Sequence, residues 1–344
     1  MTVNMKILIG VSGGLDSAYT ARLLSEGHTV EGAVLLMHQY TDVTAAQKAA
    51  DEAGIPLHIL DRRELFKSQV EEYFVSEYMN GRTPNPCTFC NPRVKIGELC
   101  RFAASNGFDK VATGHYARTV NRDGRYAIAM GADARKDQSY MLWGLSQGQI
   151  AMLSLPLGEM KKDDVREEAR SLGLSSAEAK ESQDICFIPD GGYVDFMKSR
   201  GITAPSGNFV DGDGKIIGQH KGILNYTVGQ RRGLGVAMGQ RMFVSEIRPA
   251  TNEIVLLPDG GSYTESMTVT DLNFQLIPPP ADGETVEYTL LGKIRYAAPP
   301  VLMHLSIAGD VATVTFSEPI RAVTPGQSAV FYLDGAIALG GTIN

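Results

Sequence analysis

The residues best suited to chemistry lie in a glycine-rich string near the N-terminus and in two segments that carry cysteine. The string is Ser12 to Ser17, SGGLDS, in which two hydroxyl residues and an acid surround a pair of glycines. Cysteines stand at positions 87 and 90, with the spacing Cys-x-x-Cys, and at the distant position 186. These residue types predict phosphate binding by the string and thiolate chemistry by the cysteine pair.

The glycine-rich string has the context that an anion site requires. Ile7 to Val11 is an apolar run typical of a buried parallel strand, and Asp16 or Ser17 is a good first residue for the helix that follows. Gly13 and Gly14 allow positive φ and leave no Cβ between the backbone and a ligand. Such a loop presents free N–H groups and the positive end of the helix dipole. The alternative is an ordinary strand-to-helix turn.

The prolines in Thr83 to Pro86 predict a stiff turn ahead of the cysteine pair. This turn would hold both thiols before a helix that runs from about Pro92. Thiols near a helix N-terminus and close to Arg93 and Lys95 are expected to have lowered pKa values, which favours the thiolate. The alternative is that both cysteines are small buried apolar residues.

Two further segments have ordinary structural interpretations when they are taken alone. Cys186 lies in a short apolar run that predicts a strand ended by Pro189, so it is typical of a core cysteine. Lys136 to Tyr140, KDQSY, is typical of the solvated start of a helix.

Length and composition indicate a soluble protein of two or three domains. The chain has 344 residues, of which 43% are apolar and 21% charged, and its apolar runs are too short to cross a membrane. Four cysteines without framework spacing predict reduced thiols and a cytoplasmic location. A net charge of -7 argues only weakly against a nucleic-acid partner, because local basic patches can override it.

Alternating strand and helix patterns predict an α/β fold, with a parallel sheet covered by helices on both faces over the first part of the chain. Ligands of such sheets bind at the carboxyl ends of the strands, where the SGGLDS loop lies. Leu35, at the end of the second strand, is expected either to contact adenine or to be part of the core. Gly114, at the end of a later strand, is expected to face the nucleotide. Evenly spaced strands from about Ser266 predict a C-terminal β-barrel.

Six motifs occur in a fixed order, and together they resemble one family. The motifs are SGGLDS, GRTPNP followed by CN, ATGHYA, KDQSY, ICFIP and YTVGQRRGLG. In this order they resemble the bacterial tRNA-specific 2-thiouridylases, which belong to the ATP pyrophosphatase superfamily with its SGGxDS pyrophosphate loop. The resemblance implies a PP-loop catalytic domain over residues 1–197, a small central tRNA-contacting domain over 198–265 and a β-barrel over 266–344.

The implied activity is ATP-dependent thiolation of carbon 2 of the wobble uridine in tRNA, with release of AMP and pyrophosphate. The implied partners are ATP, Mg²⁺, tRNA and a sulfur-donor protein, either a persulfide relay or a cysteine desulfurase. Cys186 matches the cysteine that carries the persulfide, and Cys90 matches its nucleophilic partner. The resemblance assigns ATP to Gly10, Val11, Ser12, Gly13, Gly14, Leu15, Asp16, Ser17, Leu35 and Gly114. It assigns tRNA to Asn85, Pro86, Lys136, Asp137, Gln138, Arg295 and Tyr296.

The sequence departs from the family pattern at Cys87, where the familiar motif has an aspartate suited to a general base. With Cys90 and Cys186, this third thiol could instead hold a 4Fe-4S cluster with one open iron, as in related thiolases. Persulfide transfer and cluster delivery therefore remain two open routes. A PP-loop ligase that acts on a small molecule is the alternative enzyme, and a tRNA-binding module without catalysis is a third hypothesis.

Overall fold

The structure is a computed structural model that describes residues 4–179, 185–188, 192–236 and 239–344. The described residues form seventeen strands, which we number β1 to β17 in chain order: Lys6–Gly10, Thr29–Leu36, Leu57–Asp61, Lys110–Ala112, Ala117–Arg122, Arg125–Met130, Leu153–Ser154, Gly207–Val210, Ile216–His220, Met242–Arg248, Glu253–Pro258, Tyr263–Phe274, Thr285–Lys293, Val301–Ala308, Val311–Arg321, Ser328–Leu333 and Ala336–Ile343. They also form nine α-helices, α1 to α9: Leu15–Leu24, Val43–Ala53, Arg63–Phe66, Glu72–Met79, Pro86–Cys90, Ile96–Ser105, Gln147–Met152, Lys162–Ser171 and Tyr193–Ser199.

The N-terminal part is built on a five-stranded parallel sheet in the order β3-β2-β1-β4-β7. Its central strand β1 is fully buried at Ile7, Leu8 and Ile9, as an apolar strand covered on both faces must be. Helix α2 begins after Asp42, whose side chain accepts from the Ala45 backbone, and it ends at a left-handed glycine. The predicted parallel sheet is confirmed.

Two helices in this part change their hydrogen-bonding pattern midway. A π-helical turn, Lys67–Glu71, separates α3 from α4, and a second one, Asn91–Lys95, separates α5 from α6. The chain is helical without a break on both sides of each π turn, so each segment is one helix that is not uniformly α-helical. Single π turns of this kind occur frequently at functional sites.

The C-terminal part is a closed barrel of six antiparallel strands. The order β12-β15-β14-β13-β16-β17 is closed by pairing of β12 with β17. Apolar side chains alternate inward along β14 and β15, as the strand period requires. The β5–β6 hairpin, from the N-terminal part, joins the same sheet by pairing with β17. The predicted barrel is confirmed, whereas the hairpin was not predicted.

Between these parts lies a smaller four-stranded sheet in the order β10-β11-β8-β9. It packs around its own apolar cluster, which includes Phe209, Tyr226 and Val244. No helix within the described ranges is long and apolar enough to span a membrane.

Candidate active site

The SGGLDS loop packs directly against α2. Gly13 has φ +81, and a Cβ on it would lie 2.6 Å from the Ala45 Cβ, so only glycine fits there. Gly14 has φ -81 and is extended, so of the two glycines only Gly13 uses the positive φ that both allow. Gly14 is the N-cap residue, so the helix begins at Leu15, one residue before Asp16 and two before Ser17, the two predicted starts. Because Gly14 offers no side-chain cap, the N–H groups of the first turn face outward for a ligand.

Two serines fix the shape of this loop. The Ser17 hydroxyl accepts from the Ser12 backbone N–H at 3.1 Å and donates to the Gly14 carbonyl at 3.0 Å. The Ser12 and Ser17 hydroxyl oxygens lie 3.1 Å apart, within hydrogen-bonding distance. Val11 bonds to the Ala33 carbonyl at 2.9 Å, which ties the loop to the neighbouring strand. The loop is therefore already in a folded, internally bonded form.

Asp16 is held by two residues that sequence reasoning missed. The Lys162 ammonium lies 2.6 and 2.8 Å from its carboxylate oxygens, and the Tyr116 hydroxyl donates to it at 2.9 Å. Lys162 is buried, which is unusual for a lysine and requires an anionic partner. No local signal in the sequence distinguishes this lysine from its neighbour at position 161, since the contact joins residues 146 positions apart.

The end of β4 lies against the same loop. A Cβ on Gly114 would lie 2.8 Å from the Asp16 carbonyl carbon, so the two backbones are in contact. The next residue, His115, is buried, lies 2.8 Å from the Thr113 hydroxyl and has a pKa well below its ordinary value because burial disfavours its charged form. Leu35 is buried in the main core, and its predicted contact with adenine stays a prediction.

The cysteine pair lies inside a helix, so the prediction that it precedes one is wrong. Helix α5 begins at Pro86 because proline suits the first helical position, and Asn85 caps it by accepting from the Cys87 N–H at 3.2 Å. Cys90 is buried and Cys87 is half-buried. The Asn85 side chain also reaches Met141, as does Asn91, which donates to the Met141 carbonyl at 2.9 Å.

Burial decides the state of these thiols. It raises the pKa of Cys90 to about 12 and also raises that of Cys87, while Lys95 opposes the rise at both. Arg93 takes no part, because its guanidinium stacks on the Phe89 ring at 3.6 Å. The predicted lowering of both pKa values is therefore wrong: the helix terminus and the cations are outweighed by loss of water.

Cys186 lies in a turn rather than in the predicted strand. The Ile188 N–H bonds to the Ile185 carbonyl at 3.0 Å, and Cys186 at the corner is exposed. Pro189, predicted to end the strand, lies outside the described residues. The pKa of Cys186 is raised to about 11. The main cause is partial loss of water around the thiol, even though the residue keeps an exposed surface, and the second cause is the charge of Cys87.

The turn that carries Cys186 packs onto the helix that carries Cys90. The ring centroid of Phe187 lies 5.4 Å from those of Phe66 and Phe74, and Phe187 belongs to the same apolar cluster as Cys90. The charge of Cys186 in turn raises the pKa of Cys90. Beyond the turn, Arg200 forms an ion pair with the buried Glu71 and so attaches the segment to the π-helical turn Lys67–Glu71. Two cysteines 96 positions apart in sequence thus share one site.

A second group of predicted residues gathers beside the barrel. Asp137 accepts from Gly131 and Ser139, and its charge acts on Lys293 and Tyr296 of the barrel. Lys293 lies 5.6 Å from the exposed Tyr296 ring. The remaining predicted residues are placed nearby in sequence or on the barrel: Gln138 accepts from the Tyr116 N–H, Lys136 bonds to the Asp133 carbonyl, and Arg295 donates to the carbonyls of Arg321 and Ala322.

No three His, Cys, Asp or Glu side chains within the described part of the chain are grouped so that they could hold a metal ion. Cys87, Cys90 and Cys186 are all described, so in this arrangement they do not form the three-thiolate set that an iron–sulfur cluster requires.

A five-stranded parallel sheet with an SGGLDS loop between β1 and α1 defines a nucleotide-binding domain of the PP-loop class. Three family profiles match the chain in order: the tRNA methyl transferase HUP domain over residues 5–190, the tRNA methyl transferase PRC-barrel domain over 194–257 and the aminomethyltransferase β-barrel domain over 264–343. The tRNA-specific 2-thiouridylase MnmA of Carboxydothermus hydrogenoformans is 42% identical over 98% of this chain and 97% of its own length. That of Clostridium perfringens is 40% identical over 98% of both chains. The chain belongs to the tRNA-specific 2-thiouridylase MnmA family.

The predicted family membership and three-part fold are confirmed, and nothing favours the small-molecule ligase. Among solved structures, the U34-tRNA thiolase NcsA from Methanococcus maripaludis with its 4Fe-4S cluster is 22% identical over 53% of this chain and 62% of its own, with a TM-score of 0.36.

Proposed function

We propose that this protein thiolates carbon 2 of the wobble uridine of tRNA, using ATP and a persulfide on Cys186. The observation that carries the proposal is that the turn holding Cys186 packs through Phe187 into the apolar cluster that contains Cys90, and that the charge of Cys186 raises the pKa of Cys90. Cys186 is exposed, as a cysteine that receives sulfur from a donor protein must be, whereas Cys90 is buried. A tRNA substrate and reduced thiols also support a cytoplasmic location.

We propose that the ATP phosphates lie at the N-terminus of α1. Uncapped N–H groups and the helix dipole favour a polyanion there, with Mg²⁺ as its counter-ion. Residues 10–17 would surround the phosphates, while Gly114 and Leu35 would bound the nucleoside. ATP adenylates the oxygen on carbon 2 of the uridine and releases pyrophosphate, so that AMP becomes the leaving group.

The target uridine must leave the anticodon stack to reach the nucleotide. We propose that Asn85 and Pro86, beside the thiols, contact the extruded base, and that Lys136, Asp137 and Gln138 contact the neighbouring RNA. Arg295 and Tyr296 on the barrel are proposed as further tRNA contacts, since a cation and an exposed ring suit phosphate and base. The residues beside the thiols and the segment 136–138 are adjacent, because the Asn85 and Asn91 side chains both contact Met141, which lies three positions after that segment.

Sulfur transfer follows as two displacements. The terminal sulfur of the Cys186 persulfide attacks carbon 2, and the carbon–oxygen bond breaks with AMP leaving. The Cys90 thiolate then attacks the Cys186 sulfur, the persulfide S–S bond breaks, and its electron pair stays on the uridine sulfur. The sulfane sulfur gains two electrons, the two cysteines lose two and form a disulfide, and an external dithiol must reduce them.

The persulfide route has more support than the cluster route, because Cys87, Cys90 and Cys186 do not form a metal-binding group among the described residues. In the persulfide route Cys87 takes neither covalent role. The two routes differ in iron content, so a single preparation distinguishes them.

The test compares Cys186→Ser, Cys90→Ser and the control Cys100→Ser, which changes a buried thiol on α6 outside the proposed reaction. Each protein is prepared anaerobically, assayed for iron and given tRNA, ATP and a persulfide donor. Both site variants should lose 2-thiouridine formation by at least about a thousandfold, while the control retains it. Iron-free wild-type protein should thiolate tRNA and yield a Cys90–Cys186 peptide disulfide. Thiolation that requires bound iron, or that survives Cys186→Ser, would overturn the proposal.

A further inference from the structure

The π-helical turn Asn91–Lys95 brings a lysine beside the buried thiol. The Ile96 N–H bonds to the Asn91 carbonyl, five residues back, instead of four. In an α-helix residues four apart lie one above the other, and in a π turn the residue five positions on takes that place. Lys95 is five positions after Cys90, so this geometry puts Lys95 one turn beyond Cys90 on the same side of the helix.

Three features build this turn. Pro92 has no N–H, so it cannot make the α-helical bond to the residue four positions earlier. The Pro92 carbonyl accepts a hydrogen bond from the Gln149 side chain at 2.7 Å. Gln149 is itself held in place by a capping box with Ser146. A Cβ on Gly97 would lie 2.4 Å from the same carbonyl, so this position requires glycine. The turn is thus supported from outside the helix.

Lys95 is a cation whose charge acts on all three of the thiols at 87, 90 and 186. Its charge lowers the pKa of Cys87, Cys90 and Cys186, and also that of His115 at the nucleotide end of β4. Throughout the described chain its ammonium forms no ion pair with a carboxylate. Its positive charge is therefore available to the sulfurs and to whatever anion lies between them and His115.

We propose that Lys95 stabilises the anionic sulfur at Cys90 and Cys186 during thiolation, and that the π turn exists to position it. The inference rests on the proposed function. Before its attack, Cys90 must lose its proton to solvent, and burial opposes this step. A nearby ammonium offsets part of that cost, and its attraction ends when the neutral disulfide forms.

The test measures alkylation of individual cysteines by iodoacetamide, using peptide-resolved mass spectrometry on the full-length protein between pH 8 and 9.5. Lys95→Met removes the charge, Lys95→Arg retains it, and Lys215→Met is a matched control on the exposed central hairpin. A pKa rise of one unit cuts the thiolate tenfold, while the more basic thiolate recovers about threefold in nucleophilicity. Cys90 and Cys186 should therefore react about threefold more slowly in Lys95→Met only.

Cys100 supplies the structural control, because it is buried on α6 immediately after the turn. If Lys95→Met loosened the helix, Cys100 would react faster. Equal rates at Cys90 and Cys186 in wild type and Lys95→Met, or equal slowing in Lys95→Arg, would overturn the inference. Alkylation needs neither tRNA nor ATP, so this result is independent of the thiolation assay: slowed alkylation in a protein that fails to thiolate would sink only the proposed function.

Discussion

Gly13→Ala is predicted to damage both folding and ATP use, and Gly54→Ala provides a matched comparison. Both glycines have positive φ, +81 and +69, so alanine costs each about 1 kcal/mol of backbone strain. At Gly54 a Cβ meets nothing within 4 Å. At Gly13 it would lie 2.6 Å from the Ala45 Cβ and 2.7 Å from its carbonyl carbon, which are contacts that require a backbone shift.

This overpacking adds about 1–3 kcal/mol, so Gly13→Ala should lose about 2–4 kcal/mol in total. Urea unfolding followed by the helical circular dichroism signal measures both variants, since most of the helices lie in the N-terminal part. Displacement of the loop should also raise the KM for ATP at least about tenfold, while Gly54→Ala leaves it unchanged. Equal unfolding free energies, to within about 0.5 kcal/mol, would refute the claim that contact with α2 sets the loop.

Two further predictions concern charge. Asp16→Asn leaves the buried Lys162 ammonium facing a neutral amide and should lower the free energy of unfolding by about 3 kcal/mol. Lys162→Met leaves the Asp16 carboxylate unpaired, but this group is one-third exposed and can be hydrated, so the loss should be about 1 kcal/mol. The reverse order of the two variants in thermal unfolding would contradict this. The raised pKa of Cys186 predicts that its alkylation rate keeps increasing up to about pH 11 instead of levelling off near pH 9, and a plateau below pH 9.5 would contradict it.

The parts of the fold that local sequence determines were predicted well. The apolar run before SGGLDS becomes β1 because only a strand covered on both faces buries every residue. Asp42 and Gly54 bound α2, and both are recognisable in the sequence, because a cap and a left-handed residue act within one turn. These signals need no knowledge of distant residues.

Pairings between distant residues were not predictable in the same way. The β5–β6 hairpin looks like a self-contained unit in sequence, yet Ala129 pairs with Ala336, more than 200 positions away. Likewise, the π turn after Cys90 depends on Gln149 from another helix, and Asp16 depends on Lys162. In each case one half of the interaction carries no pattern that identifies its partner.

The thiols show how a correct list of residues can still give the wrong chemistry. Proline, the helix terminus and nearby cations are local, and they argue for a lowered pKa at Cys90. The opposing effect is burial in an apolar cluster, to which a distant part of the chain contributes Phe187 and residues of α9. Since desolvation grows with every neighbour that excludes water, the long-range packing outweighs the local charges. The turn that carries Cys186 therefore has two effects on this site: it supplies the second sulfur, and through burial and charge it contributes to the raised pKa of the first.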